Sequence, residues 1–235
     1  MKERPILMSA PMVRALLEGR KTQTRRIMNP QPVHAQHHVW KGKTVRDAEH
    51  RMWCWKDVVL ENIWDFPNGD DRRELALHSP YGLSGDRLWV REAWKTGSSL
   101  DKCDAKAIAA LCLKAGYKTP GAPVLYLAND YVRRWGDNDR SDFGVFGRYR
   151  HARFMPRWAS RLTLGIAEIR VQRLRDIGVK DAIAEGCEPL PPFPASVSAP
   201  EDYISGYRNL WESINGAGSW DSNPWVWAVT FEVAV

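Results

Sequence analysis

The sequence predicts an α+β fold, a small β-barrel flanked by short helices and enlarged by two insertions. Three observations predict it. Several segments alternate apolar and polar residues with the period of a strand, the longest running from Leu162 to Leu174. Short helical patterns punctuate these strands instead of alternating with them regularly. Two stretches, about 33–80 and 97–147, lack sustained periodicity and read as insertions within one domain spanning residues 1–235.

The chain is long enough to bury a real core. Its net charge of +6 makes a polyanion such as nucleic acid a natural partner class. Twelve tryptophans either fill a core or, together with arginine, form base-stacking surfaces. Cys54, Cys103, Cys112 and Cys187 form no CxxC pair, so reduced thiols are expected, with neither a disulfide frame nor a zinc site. No N-terminal apolar h-region and no run of about 18 apolar residues is present. The expected location is the cytoplasm, with no membrane partner.

Taken in order, Ile6-Leu7-Met8 reads as a strand. Ser9 is a helix cap, Pro11 suits a first turn, and Gly19 stops the helix carrying Val13 to Leu17. The alternation from Thr22 to Ile27 suits a strand, and Asn29-Pro30-Gln31-Pro32 ends it. The first insertion reads as short hairpins. It holds His34, His37 and His38, which lack a carboxylate or cysteine at metal-ligand spacing and read as a polar loop. Tyr81 to Asp86 is a turn. It launches a strand with Leu88, Val90 and Glu92 on one face, so Glu92 either enters a site or pairs with a nearby arginine.

Ala105 to Lys114 has helical character, Val124 to Ala128 is a strand, and Tyr131 to Gly147 reads as a loop. From Arg148 to Arg161, arginines interleave with Tyr149, Phe154 and Trp158, a pattern suited to phosphate contact and base stacking or to guanidinium packing on aromatics. Asp176 to Ala184 is a helix stopped by Gly186. Glu185 sits in its last turn, where a carboxylate opposes the helix dipole. Pro189 to Pro200 is a loop, Tyr203 to Ile214 an amphipathic helix, and Trp225 to Val233 an apolar final strand.

The octet Gly19-Arg20-Lys21-Thr22-Gln23-Thr24-Arg25-Arg26 resembles the signature of the ASCH domain, a PUA-like β-barrel. Gly85 to Glu92, Asp176 to Gly186 and the closing strand from Pro224 agree in order. Arg153 to Arg161 and Asn223-Pro224-Trp225-Val226-Trp227 are similar to text in the longer ASCH-like proteins of bacteriophages and prophages. The resemblance implies a cleft that binds RNA or a modified nucleoside. One branch of the family hydrolyses N4-acetylcytidine with a lysine, a threonine and a later glutamate. By position these fall on Lys21, Thr24 and Glu185. Thr24 is then the nucleophile, Lys21 its activator or an oxyanion donor, and Glu185 a general acid/base. Arg20, Arg25, Arg26, Glu92, Arg153, Arg157 and Trp158 are the expected ligand contacts. Binding without chemistry and cleavage of single-stranded RNA are the alternatives. No cofactor or metal is expected, and the sequence sets no oligomeric state.

Overall fold

The structure is a computed structural model describing residues 1–35, 37–40, 43–46, 52–55, 58–60, 76–133, 145–189 and 200–234, with side chains described outside 33–60 and 200–201. The chain begins with β1 (Glu3–Leu7), α1 (Ala10–Leu17) and β2 (Gln23–Ile27). Five short strands follow: β3 (Val33–Ala35), β4 (His37–Trp40), β5 (Lys43–Arg46), β6 (Met52–Trp55) and β7 (Val58–Leu60). Then come β8 (Arg87–Arg91), β9 (Trp94–Lys95), α2 (Ala105–Lys114), β10 (Val124–Tyr126) and β11 (Tyr131–Arg133). The last elements are β12 (Thr163–Arg173), α3 (Val179–Ala184), α4 (Pro200–Asn215) and β13 (Trp225–Ala234).

The fold is mixed α+β. Its largest sheet has five strands in the order β1-β8-β12-β13-β2, beside three-stranded sheets β11-β10-β9 and β3-β6-β7 and the pair β4-β5. A barrel closes only when the first and last strands of a sheet pair. Among the described residues β1 and β2 are edges that do not pair, so the sheet is open where the sequence predicts a closed barrel. Among the described residues the remaining strands pair among themselves and do not extend the large sheet.

Contacts divide the chain into two compact units. The first comprises Met1–Gly19, Asp86–Gly165 and Val233–Val235, and the second Arg20–Gly85 and Ile166–Glu232.

In the first unit β1 runs parallel to β8, and β8 pairs antiparallel with the start of β12. Leu88 and Val90 of β8 are buried while Trp89 and Arg91 are half-buried, the alternation the sequence predicts. Pro11 lies in the first turn of α1, but the Ser9 side chain makes no cap hydrogen bond. β10 pairs with β9 and with β11, a strand that falls at the start of the expected 131–147 loop. Trp94, Val124, Tyr126, Met155 and Ala159 form a buried cluster there, with Trp158 packed against it.

In the second unit β13 pairs antiparallel with β2, setting Thr24 opposite Val229 and Arg25 opposite Ala228. The Gln31 side chain pins the chain after β2, donating to the Met28 and Trp225 carbonyls and accepting from the Trp225 amide. Leu174, Ile177, Ala182, Tyr207, Trp211, Trp220 and Val226 form this unit's core cluster under α3 and α4. Trp94, Trp211, Trp220, Trp225 and Trp227 are all buried, so these tryptophans pack and do not stack on a ligand.

Candidate functional site

The octet that dominates the sequence folds around α3. Gly19 adopts a φ of 72°, which ends α1 in a conformation that a residue with a Cβ adopts at a cost. The chain then meets the end of α3: the Thr22 amide donates to the Ala184 carbonyl at 2.8 Å, and Lys21 and Glu185 form an isolated antiparallel bridge. Gly186, with a φ of 77°, turns the chain away immediately after Glu185.

Lys21 is 2% exposed, and its ammonium has three protons to donate. They go to the Gln23 carbonyl at 2.8 Å, the Glu185 carbonyl at 2.8 Å and Glu185 Oε2 at 3.0 Å. Arg25, also buried, reaches Glu185 Oε1 at 3.1 Å through Nη1 and Asp181 Oδ2 at 2.8 Å through Nη2. The Gln172 amide satisfies its surroundings with its oxygen toward Arg25, 2.7 Å from Nη2 and 3.3 Å from Nε. Arg170 adds a contact to Asp181 Oδ1 at 3.2 Å, and the Tyr207 ring lies 5.9 Å from the Arg25 guanidinium carbon. Two buried cations thus face two carboxylates four residues apart on α3 and its C-cap, the spacing that puts side chains on one helix face.

This arrangement explains the misfit of Glu185 with the helix dipole. Its partners lie outside the helix, and two charge-assisted bonds outweigh an end effect of under about 1 kcal/mol. Burial lowers the pKa of Lys21, with Glu185 opposing the shift. Burial alone would raise Asp181, but Arg25 and Arg170 overcome it and leave the carboxyl below its ordinary range. Burial also pushes the Cys187 thiol up to about 12, so it is no thiolate nucleophile at neutral pH.

Thr24 is placed differently. Successive side chains of a strand point to opposite faces, so Thr24 and Arg26 lie on the face opposite Gln23 and Arg25. The Thr24 hydroxyl is 1% exposed as a residue and accepts from Arg26 Nη1 at 2.6 Å. Lys21 and Glu185 are therefore brought together. Among the described residues, Thr24 makes no hydrogen bond to either.

The expected ligand contacts separate in the same way. Arg20 is exposed and donates to the Gly186 carbonyl at 3.2 Å. Glu92 is 1% exposed and holds Arg161 with two bonds of 2.8 and 2.9 Å. Arg161 also lies 4.2 Å from the Tyr126 ring centre and bonds Asn129 at 2.9 Å, so Glu92 takes the arginine-pairing role left open above. Arg157 pairs with Glu3 at 2.8 Å, and Trp158 packs edge-on against Trp94. Arg153 is exposed, rests on the Phe154 ring at 5.6 Å and has no ion pair among the described residues.

Arg153 belongs to a ridge that the first unit holds firmly. Arg91 donates to the Met155 carbonyl at 3.1 Å and also to the Arg153 carbonyl. Buried Arg150 donates to the Cys103 and Leu100 carbonyls at 2.9 and 2.7 Å. Around these anchors Arg148, Tyr149, Arg153 and Phe154 stand exposed. Asp181 is the partner that sequence reading missed, although its four-residue spacing to Glu185 was a usable signal. Nothing local marked Arg150 as an anchor among the arginines of the ridge.

Among the described residues no helix is long and apolar enough to cross a membrane, and Cys103, Cys112 and Cys187 are free thiols. Compared with models of protein families, with curated proteins and with solved structures, the chain matches none.

Proposed function

We propose that the chain is an ASCH-like, PUA-like protein that binds single-stranded RNA or a modified nucleoside through the ridge of the first unit. One observation carries this reading: Arg148 and Arg153 present guanidinium groups that have no ion pair among the described residues, beside the exposed rings of Tyr149 and Phe154. Unpaired cations take phosphates, and exposed rings take bases of any sequence. Three free thiols fit a reducing compartment, so the cytoplasm is the proposed setting. Fluorescence anisotropy with a labelled single-stranded RNA tests the reading. Binding that weakens steeply with salt supports it, and the absence of binding at low salt refutes it. RNA recovered intact after incubation separates binding from cleavage.

A second reading, hydrolysis of an N-acyl bond such as that of N4-acetylcytidine, rests on the 3.0 Å contact between Lys21 and Glu185. Two features weigh against it. All three Lys21 protons have acceptors, and the Thr24 hydroxyl lies across the sheet from the carboxylate. Cytidine release from N4-acetylcytidine, followed by chromatography, decides between them. Release that disappears in Thr24→Ala would establish the hydrolase. No release, or equal release from both proteins, removes Thr24 as a nucleophile.

A further inference from the structure

Beside the ridge the first unit contains a cavity of about 570 Å³, lined among others by Asp104, Lys106, Arg148, Tyr149, His151 and Phe154. A volume of this size lies in the range of small-ligand sites. We propose that this cavity is a single-nucleotide pocket, taking a phosphate on Lys106 and Arg148, a base against Tyr149 and Phe154, and an amino-bearing base edge on Asp104. The proposal rests on the binding reading above and assigns its ridge a defined subsite.

The charges are of mixed sign, and that selects the ligand class. Lys106 and Arg148 are exposed and have no ion pair among the described residues. Arg150 forms part of the wall and donates to the Cys103 and Leu100 carbonyls. These groups favour an anion. Asp104 uses Oδ1 to accept from the Ala107 amide, capping α2, at 2.7 Å, which leaves Oδ2 as an acceptor. A bare phosphate gains nothing from a carboxylate, whereas a base with an exocyclic amine donates to it. His151 accepts from the Arg153 amide through Nδ1 at 3.1 Å. With Nδ1 accepting, Nε2 is the ring nitrogen placed to donate. Tyr149 is 57% and Phe154 62% exposed, so each has ring surface open to stacking.

The test uses the full chain with CMP, AMP, UMP and inorganic phosphate as probes, by isothermal titration calorimetry, alongside the labelled RNA. CMP and AMP are expected to bind about tenfold tighter than UMP, because UMP lacks the amine that Asp104 accepts from. Asp104→Asn keeps a capping oxygen and is expected to erase that preference. Tyr149→Ala, at an exposed position, is expected to weaken nucleotide binding at least about fivefold, while Tyr149→Phe retains it. RNA binding with no nucleotide binding, or nucleotide binding unchanged in Tyr149→Ala, overturns the pocket and leaves the ridge reading standing. Phosphate binding as tightly as CMP also overturns it. Nucleotide binding without RNA binding supports the pocket and refutes the RNA reading. Binding of neither probe refutes both.

Discussion

Lys21 Nζ lies 3.0 Å from Glu185 Oε2, across 164 residues of sequence, and both side chains are almost fully withdrawn from water. The contact is one edge of a network whose other edges run from Arg25 to Glu185 and Asp181 and from Arg170 to Asp181. Removing one member of a buried ion pair leaves its partner uncompensated in a medium that solvates it poorly.

Glu185→Ala is therefore expected to cost about 3–5 kcal/mol, read as a shift in the urea midpoint, because it removes the carboxylate paired with Lys21 and one of the two paired with Arg25. Lys21→Met is expected to cost less, since Arg25 still pairs with Glu185. The effects of Lys21→Met and Arg25→Met are expected to be non-additive by about 1–3 kcal/mol in a double-mutant cycle, because they share one carboxylate. Additive effects would contradict the shared network.

Arg161→Lys is expected to cost about 2–3 kcal/mol, because an ammonium keeps neither the paired bonds to Glu92 nor the face-on contact with Tyr126. The control is Arg157→Lys. Its pair with Glu3 is exposed to solvent, so its thermal midpoint should move within error. Equal shifts in the two variants would remove the distinction between buried and exposed pairs.

Asp181 gives the network an acid limit. Its folded-state pKa is below the ordinary 3.8, so the unfolded chain binds the proton more readily. The stabilisation is present above the unfolded pKa and is lost as the pH falls through the folded one, below about pH 4. Asp181→Asn removes this part of the proton uptake. Its thermal midpoint is expected to fall less than that of the parent protein between about pH 4 and about pH 2.5. Parallel curves for the two proteins would sink this assignment.

The ridge has a salt signature. Three phosphate contacts, from Lys106, Arg148 and Arg153, give single-stranded binding that weakens about twentyfold between about 50 and 200 mM salt. Arg153→Ala is expected to flatten the log–log slope by about 0.7, the loss of one contact, without moving the urea midpoint. An unchanged slope would take Arg153 out of the interface.

Local pattern made much of this fold readable. The alternation of Leu88, Val90 and Glu92 placed them on one buried face. The helical segment from Ala105 to Lys114 coincides with α2. Gly19, Gly186 and Gly216 end their helices with positive φ. Each of these depends on residues within a turn or two, where period and backbone preference decide the outcome. The barrel closure did not follow from the same signals, because strand pairing is decided between distant segments.

The sequence by itself determined which residue types were on hand: a cation-rich octet, a carboxylate misplaced on a helix end, and a run of arginines among aromatic rings. Only the tertiary structure decided their use. It buried Lys21 and Arg25 against Asp181 and Glu185, turned Thr24 to the opposite face, and left Arg148 and Arg153 in water. The reason is that a charge is neutralised by whatever lies a few ångströms away, and for these side chains that distance is spanned by strand register and helix packing between segments far apart along the chain.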